Sequence, residues 1–443
     1  MSHSPSPTKP LPFADGPTGL KVLQAFSQER SPLSALRVMN QVVGDSFRIT
    51  LPLFNPAVLI GPENNRHMLV SGRDDFLWRT ENDPVTRLLR HGLLVEDGAS
   101  HDHLRSVMDP ALHRREVVRH LDAFWQITDA LTTTWPDRGR ADMLVEMRKL
   151  ALLILVKTLF GADFQPDLAR LWQPILSAIR YISPGLWVLW PNIPRLGYEH
   201  DLAVLDAYLY DLIAQQRAKG GGDDLLARLA AAPGFDDHLI RDQLLTMLIA
   251  GHDTSTALLA WVLHLLGQHP AVLAQVQAEV DTVLGTRPPT LEHLDQLPQL
   301  DQVIKETLRL YPPIHMGNRQ ANGDIAVRGY EIPGGTRVMM SIYLSHRHPH
   351  HWTKPDEFHP ERFAHDNKEK VPPFTYLPFG GGPRNCIGAA FAQMEAKVVL
   401  ARLLQTFTFS PEKRRVHAHM GATLEPHPGV WLAYQRREKR RRY

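Results

Sequence analysis

The 443-residue chain is predicted to fold as one mainly α-helical domain that carries small β-sheets. Apolar residues recur at helical spacing over most of residues 63–232, whereas short apolar runs typical of strands lie at residues 47–60 and beyond residue 311. No linker-like composition divides the chain into halves. We therefore place a single domain at residues 20–435, between a proline-rich N-terminal segment at 1–19 and a basic C-terminal tail at 436–443.

The individual elements follow from local signals along the chain. Pro52 and Pro56 interrupt the apolar run at 47–60, which predicts a short strand pair. Three glycines at 220–222 end a helix predicted over 199–219, and Asp236 or Asp237 can cap the long helix that follows. The remaining predicted elements are helices at 271–284 and 300–310, strands at 325–332 and 336–342, and a last helix from just after Cys386 to about residue 404.

The long helix contains the most apolar stretch of the chain, residues 244–267, which is long enough for a membrane span. Its centre carries His252, Asp253 and Thr254, however, and polar groups at that depth are costly in lipid. The sequence therefore favours a buried helix with a polar functional notch and predicts no transmembrane anchor.

Charge and cysteine content exclude several kinds of partner and compartment. Lys and Arg total 49 against 47 for Asp and Glu, so no global field attracts nucleic acid. A single cysteine rules out an intramolecular disulfide, and the proline-rich start lacks the features of a secretory signal. We expect a monomeric cytoplasmic protein whose basic tail is either solvated or in contact with an acidic surface.

The cysteine lies between a glycine-rich turn and a predicted helix, in the run Phe379-Gly380-Gly381-Gly382-Pro383-Arg384-Asn385-Cys386-Ile387-Gly388. Glycines allow the backbone to turn tightly and to approach a flat cofactor. N–H groups at the start of a helix stabilise a thiolate, which is the form that binds iron. A lone cysteine can also be an inert buried side chain, but the number of fixed positions in this loop favours a metal ligand.

With this loop, the chain resembles the cytochrome P450 family. Glu306-Thr307-Leu308-Arg309 is similar to the family's Glu-x-x-Arg motif, and Pro360-Glu361-Arg362-Phe363 is similar to its Pro-Glu-Arg-Phe motif. Glu306, Arg309 and Arg362 are then expected to form a buried structural network.

The resemblance implies the cytochrome P450 fold, a triangular helix-rich prism that encloses haem b. Cys386 would be the axial ligand of the haem iron. Arg384 would pair with a haem propionate, Phe379 would shield the sulfur from water, and Gly380 and Gly388 would also belong to the cofactor site.

The run Ala250-Gly251-His252-Asp253-Thr254 resembles the family's distal motif, which crosses the haem face where O2 binds. Ala250 and Gly251 would contact the cofactor, and Gly251 would leave room for oxygen. Because O2 activation consumes protons, Asp253 would relay them from solvent and Thr254 would hydrogen-bond at the oxygen site. Alternatively, Asp253 and Thr254 satisfy backbone groups in a kinked helix.

Other residues are assigned to propionate and substrate contacts by the same resemblance. His101 and Arg105, four residues apart on one helix face, would bind the propionates together with Arg319, or all three are exposed basic side chains. Trp187 and its neighbours up to residue 190 form either an apolar entrance or ordinary helix packing. The substrate pocket would draw on residues 76–94 and 187–193, and on Leu248, Ile314, His315, Met316 and Leu424.

The expected function is hydroxylation of an apolar molecule, a terpenoid or carotenoid or a fatty acid, with O2 and two electrons. No fused flavin or iron–sulfur motif is present, so electrons would come from NAD(P)H through a separate ferredoxin or flavodoxin and its reductase, docked on a basic face near Cys386. A peroxide-driven haem-thiolate peroxygenase and a non-enzymatic haem-thiolate gas sensor are the alternatives. The acid and alcohol at Asp253 and Thr254 favour O2-dependent chemistry over both.

Overall fold

The computed structural model describes residues 9–29, 31–80, 83–188, 193–285, 287–367 and 371–438. Helices dominate this part of the chain. In order, they are α1 (Gly16–Glu29), α2 (Pro32–Val43), α3 (Pro62–Arg66), α4 (Pro84–Leu89), α5 (Gly98–Leu112), α6 (Arg114–Val117), α7 (Leu121–Thr133), α8 (Met143–Leu159), α9 (Leu168–Ile182), α10 (Glu199–Lys219), α11 (Leu225–Ala231), α12 (Asp237–Gln268), α13 (Pro270–Leu284), α14 (Leu291–Asp295), α15 (Pro298–Leu310), α16 (Ile342–Ser345) and α17 (Ala389–Thr406).

Short strands form small sheets around the helices. The strands are β1 (Lys9–Pro10), β2 (Ser46–Arg48), β3 (Ala57–Leu59), β4 (Phe76–Leu77), β5 (Arg138–Asp142), β6 (Met316–Ala321), β7 (Ile325–Val327), β8 (Tyr330–Ile332), β9 (Arg337–Ser341), β10 (Phe407–Pro411), β11 (His417–Met420), β12 (Leu424–His427) and β13 (Trp431–Arg436). The largest sheet has the order β2-β3-β9-β6-β4, in which β3 and β9 are parallel. The others are β10-β13-β5, β1-β8-β7 and the hairpin β11-β12.

Helix α12 runs through the main hydrophobic core. Its first turn is capped by Asp236, whose side chain accepts a hydrogen bond of 2.8 Å from the Leu239 N–H. Most side chains of the helix are buried, and it packs against α8, α10, α15 and α17. The prediction of a buried helix at 244–267 is confirmed. Within the described residues no single helix has the length and apolarity to span a membrane, although α12 and α13, bent by 114°, meet that test as a pair.

The predicted mainly α fold with small sheets is confirmed, and two details differ. The strand predicted at 325–332 is a hairpin of β7 and β8, because Arg328 and Gly329 adopt positive φ angles of 51° and 79° and reverse the chain. Structural contacts also extend past the predicted domain limits at residues 20 and 435. Strand β1 pairs with β8, and Arg436 and Arg437 bind Asp137 and Asp281 at 2.9 Å and 2.6 Å.

Candidate active site

The cysteine loop connects a tight turn to helix α17. The Cys386 N–H donates to the Phe379 carbonyl at 2.8 Å and closes the loop, while Gly380 and Gly382 both have a φ of 69°, which favours glycine. A side chain at Gly382 would overlap the Leu69 carbonyl. From α5, Arg105 donates to the carbonyl and side-chain oxygens of Asn385 at 2.8 Å and 3.0 Å. These contacts fix the position of the sulfur.

The Cys386 side chain is exposed, and yet burial raises the pKa of its thiol. The sulfur is therefore accessible to a ligand although protein surrounds much of it. A hydrogen bond from the Gly388 N–H lowers the pKa, as predicted for a helix start, but burial is the larger effect. The protein alone therefore keeps a thiol at neutral pH, and the predicted thiolate requires a bound cation.

Helix α12 has a short partly exposed face in the middle of its buried length. Ala250, Gly251 and Thr254 form this face, at the i, i+1, i+4 spacing of one side of a helix. Thr254 Oγ1 donates to the Ala250 carbonyl at 2.8 Å. A side chain at Gly251 would overlap the end of the Leu155 side chain of α8, so packing is a second reason for a glycine at this position beside the predicted room for oxygen.

Asp253 lies on the buried side of the same turn, where it is 2% exposed. Its two carboxylate oxygens accept hydrogen bonds from Arg148 Nη2 at 3.1 Å and from Thr423 Oγ1 at 2.8 Å. Arg148 also binds Glu425 at 2.9 Å, and the Glu425 side chain is 28% exposed. Asp253 is thus one end of an ion-pair chain that leads towards the surface.

The four basic residues predicted to bind propionates lie around Trp78 and α5. The guanidinium groups of Arg319 and Arg384 lie over the Trp78 ring, 3.2 Å and 4.5 Å from its centroid. Arg384 binds Asp97 at 2.7 Å, whereas Arg319 is 8% exposed and bonds only the Asn318 carbonyl within the described residues. Burial lowers the pKa of Arg319 well below its ordinary value.

The remaining predicted propionate ligand, His101, is 4% exposed and bonded to Asp102 at 2.9 Å. Burial lowers its pKa, and the charges of Arg384 and Arg105 lower it further. The structure therefore gathers His101, Arg105, Arg319 and Arg384 into one electropositive region. Among them, Arg319 is the buried cation that has no carboxylate partner in the described part of the chain.

Glu306, Arg309 and Arg362 are joined in a buried network. Glu306 and Arg309, three residues apart on α15, form two hydrogen bonds of 2.7 Å and 2.8 Å, and both side chains are 0% exposed. Arg362 Nε donates to Glu306 at 3.2 Å, and Arg309 also binds the carbonyls of His346 and Pro355. This network ties α15 to the segment that leads into the cysteine loop.

The five predicted substrate residues do not line the described cavity of about 500 Å³ that lies beside Trp78 and Trp187. Leu248 and Leu424 are packed in the core, His315 is buried with its pKa lowered to about 4 by burial, Met316 is partly buried, and Ile314 is 43% exposed. Two predicted ranges do reach the cavity, one through Trp78, Arg79, Thr80 and Asp83 and the other through Trp187 and Val188. Residues 189–192 lie outside the described residues.

Sequence and structure comparisons identify the family. A family model described as cytochrome P450 matches residues 10–432. The chain belongs to the cytochrome P450 family. This P450 is 30% identical over 432 residues to cyclooctatin synthase of Streptomyces melanosporofaciens, covering 93% of each chain. It is 30% identical over 429 residues to cyclooctat-9-en-7-ol 5-monooxygenase of the same organism, covering 92% of each.

A plant relative and a solved structure agree. LUTEIN DEFICIENT 5, a chloroplastic protein of Arabidopsis thaliana, is 31% identical over 435 residues, which cover 89% of this P450 and 73% of that protein. The crystal structure of the cytochrome P450DA haem domain aligns with a TM-score of 0.86 at 27% identity, covering 99% of this chain and 100% of that chain. The predicted family, fold and enzyme class, haem-thiolate monooxygenase, are thereby confirmed.

The residues of this P450 fit haem, the cofactor that the family implies. Cys386 is a free, exposed cysteine, and Arg319, which has no carboxylate partner among the described residues, lies over the Trp78 ring. A haem propionate would supply the carboxylate partner that Arg319 lacks among the described residues. Cys386, His101, Arg105, Arg319 and Arg384 are the side chains suited to hold it.

Sequence reasoning missed the residues that support Asp253. Arg148 was available as a signal, since it is one of three cations in the apolar helix α8 and a buried charge needs a partner. Thr423 and Glu425 gave no signal, because they reach Asp253 only through the fold of the β11–β12 hairpin. Glu395 was also missed: on α17, it accepts a hydrogen bond of 2.5 Å from Ser255 of α12.

Proposed function

We propose that this P450 hydroxylates an apolar substrate with O2 and two electrons. The electrons come from NAD(P)H through an external ferredoxin or flavodoxin and its reductase. The observation that carries the proposal is the pair of adjacent groups on α12, an ion-paired Asp253 carboxylate and a Thr254 hydroxyl on the partly exposed face. O2 reduction needs protons at this position, whereas oxygen storage or sensing does not.

In this proposal, Cys386 ligates the haem iron, and the cationic residues around Trp78 hold the propionates. When bound, thiolate-ligated haem supplies the redox chemistry that activates O2 and cleaves its O–O bond. The hydrogen bonds from Arg105 to Asn385 hold the cysteine loop in place. Thr254 Oγ1 can turn from the Ala250 carbonyl to donate into the space beside its helix face.

Protons cannot reach Asp253 directly from solvent, since its side chain is 3% exposed and bound on both oxygens. Arg148 does not release a proton at physiological pH, so it cannot act as a link in a proton relay. The Asp253 carboxylate therefore has to exchange Arg148 for water before it delivers a proton. Glu425, which holds Arg148 from the partly exposed side, sets how easily that exchange takes place.

The substrate class is proposed from two sources. Related enzymes carry names that refer to cyclooctat-9-en-7-ol and to lutein, which supports a terpenoid or carotenoid. The cavity near Trp78 and Trp187, at about 500 Å³, has the volume of a typical small-molecule site and also suits a fatty acid. We propose further that the enzyme is a cytoplasmic monomer without a transmembrane anchor.

The test is turnover under 18O2 with NADPH, a ferredoxin and its reductase, using substrates that shift the ferric haem spin state. One 18O atom in the product and strong loss of product in Thr254→Ala are expected. Turnover with H2O2 alone that survives Thr254→Ala would instead establish the peroxygenase. Absence of any spin shift and of any product across terpenoids, carotenoids and fatty acids would favour the gas sensor.

A further inference from the structure

The side chains that line the cavity of about 500 Å³ include more positive charges than negative ones. It lies between the largest sheet and the segment around Trp187, and its lining includes four arginines and one aspartate. The aspartate, Asp83, is engaged by Arg79 at 2.9 Å. Three cationic side chains, Arg48, Arg319 and Arg337, are left without a carboxylate partner among the described residues.

Arg48 and Arg337 lie outside the proposed propionate site, and of the two Arg337 is the partly buried one. Its guanidinium lies 5.8 Å from the centre of the Phe54 ring and makes no hydrogen bond or ion pair within the described residues. Burial lowers the pKa of Arg337, the charge of Asp83 offsets part of this, and the charge of Arg79 lowers the pKa further. A partly buried charge without a partner is unfavourable, and an anion bound beside it would relieve that cost.

The strand register separates Arg337 from the proposed propionate site. Arg337 on β9 pairs with Gln320 on β6, and Arg319 is the residue before Gln320. Paired residues share a face of the sheet and successive residues alternate, so the side chains of Arg319 and Arg337 leave the sheet on opposite faces. Although both arginines line the same cavity, an anion bound by Arg337 is contacted from the other face of the sheet than a propionate bound by Arg319.

The surroundings of Arg337 are otherwise suited to an apolar chain. Leu53, which is 67% exposed, Phe54, Trp187 and Val188 line the same cavity. An inorganic anion would gain nothing from these side chains, whereas a molecule with a carboxylate and a hydrocarbon body would use both the charge and the apolar surface.

We propose that this cavity binds the carboxylate of an apolar carboxylic acid, with Arg337 as the principal anion contact and Arg48 at the exposed edge. The substrate class is then a fatty acid or a terpenoid acid, not a neutral hydrocarbon. This rests on the proposed function, because it takes the cavity to be the entrance to the oxygenation site. Each arginine contributes charge and hydrogen bonds to a carboxylate, and neither can be replaced by an amide without loss.

The test compares acids with alcohols of the same skeleton by ferric spin-shift titration of the haem-loaded enzyme. The pairs are dodecanoic acid with 1-dodecanol, hexadecanoic acid with 1-hexadecanol, and abietic acid with abietinol. In at least one pair, the wild type should bind the acid about tenfold more tightly, a difference of ~1.4 kcal/mol. In Arg337→Gln that preference should fall to about threefold or less while alcohol binding stays unchanged, which is the expected loss of one charge-assisted contact.

Two controls make the result specific. Arg287→Gln changes an exposed arginine elsewhere and should keep the preference. If Arg337→Gln does not retain haem, the preference for the acid is measured in Arg48→Gln and, for the wild type, in a salt series. At least one of these two changes must reduce the preference.

The proposal is wrong if no acid binds more tightly than its alcohol, including the case in which no acid binds. It is also wrong if the preference persists in Arg337→Gln, or if it withstands both Arg48→Gln and added salt. The proposed function fails separately, through absence of 18O incorporation from any substrate.

Discussion

Glu395 provides a quantitative test of how α12 is joined to α17. Its side chain is 1% exposed, its Oε2 accepts the Ser255 hydroxyl at 2.5 Å, and its Oε1 has no hydrogen-bond partner within the described residues. Burial raises the pKa of Glu395 to about 8 from an ordinary value of 4.5, and Ser255 offsets only part of this. The carboxyl is therefore mainly protonated in the folded protein at neutral pH.

The sign of the pH dependence follows from this raised pKa. The folded state binds the proton more tightly than the unfolded chain, so the stabilisation is fully present below pH 4.5 and is lost as pH rises towards 8. Glu395→Gln keeps the shape and the acceptor for Ser255 but cannot ionise. At 1.36 kcal/mol per pH unit, the stability of the glutamine variant relative to wild type should rise by roughly 3 kcal/mol between pH 5.5 and 8.5.

The assay is denaturant unfolding of the haem-loaded proteins at pH 5.5, 7.0 and 8.5, followed by tryptophan fluorescence and haem absorbance. Glu292→Gln, at an exposed glutamate of α14, should show no such trend. If the free energies of unfolding of Glu395→Gln and wild type differ by the same amount across this pH range, the pKa of Glu395 is not raised. The carboxylate of Glu395 would then be solvated or paired in the folded state.

Three further predictions concern the oxygen and propionate sites. Arg148→Met leaves the buried Asp253 without its cation, so the free energy of unfolding at pH 7 should fall by about 3 kcal/mol in denaturant titrations. Thr254→Ala should divert NADPH from product to H2O2 by about tenfold or more, measured as product per NADPH, whereas Thr256→Ala on the buried side of α12 should keep the coupling. Arg319→Gln should speed haem transfer to apomyoglobin by about tenfold, since one charge-assisted contact to a propionate is lost.

Short motifs were the part of the site that the sequence could predict. The Glu306–Arg309 pair lies within one helical turn, and Cys386 lies within a turn and a helix start, so local spacing defines each geometry. The bounds of α10 and the cap at Asp236 were predicted for the same reason. Elements of this kind are determined by residues close together in the chain.

Long-range packing determined what the sequence could not predict. Arg148 binds Asp253 across 105 residues, and Thr423 reaches it across 170, so neither contact leaves a local pattern. A side chain at Gly251 would overlap Leu155 of a different helix, and burial raises the pKa of the Cys386 thiol. Substrate residues were the weakest prediction, because a cavity is defined by the gaps between distant elements.

We assign the sulfur of Cys386 as the protein ligand of the haem iron. The deciding measurement is the absorbance of the dithionite-reduced, carbon monoxide-bound protein, for wild type and Cys386→Ser, with circular dichroism to confirm that both are folded. Wild type should give the far red-shifted Soret band of a thiolate-ligated ferrous carbonyl, and Cys386→Ser should not. The same band in the folded serine variant, or its absence in wild type supplied with haem, would contradict the account.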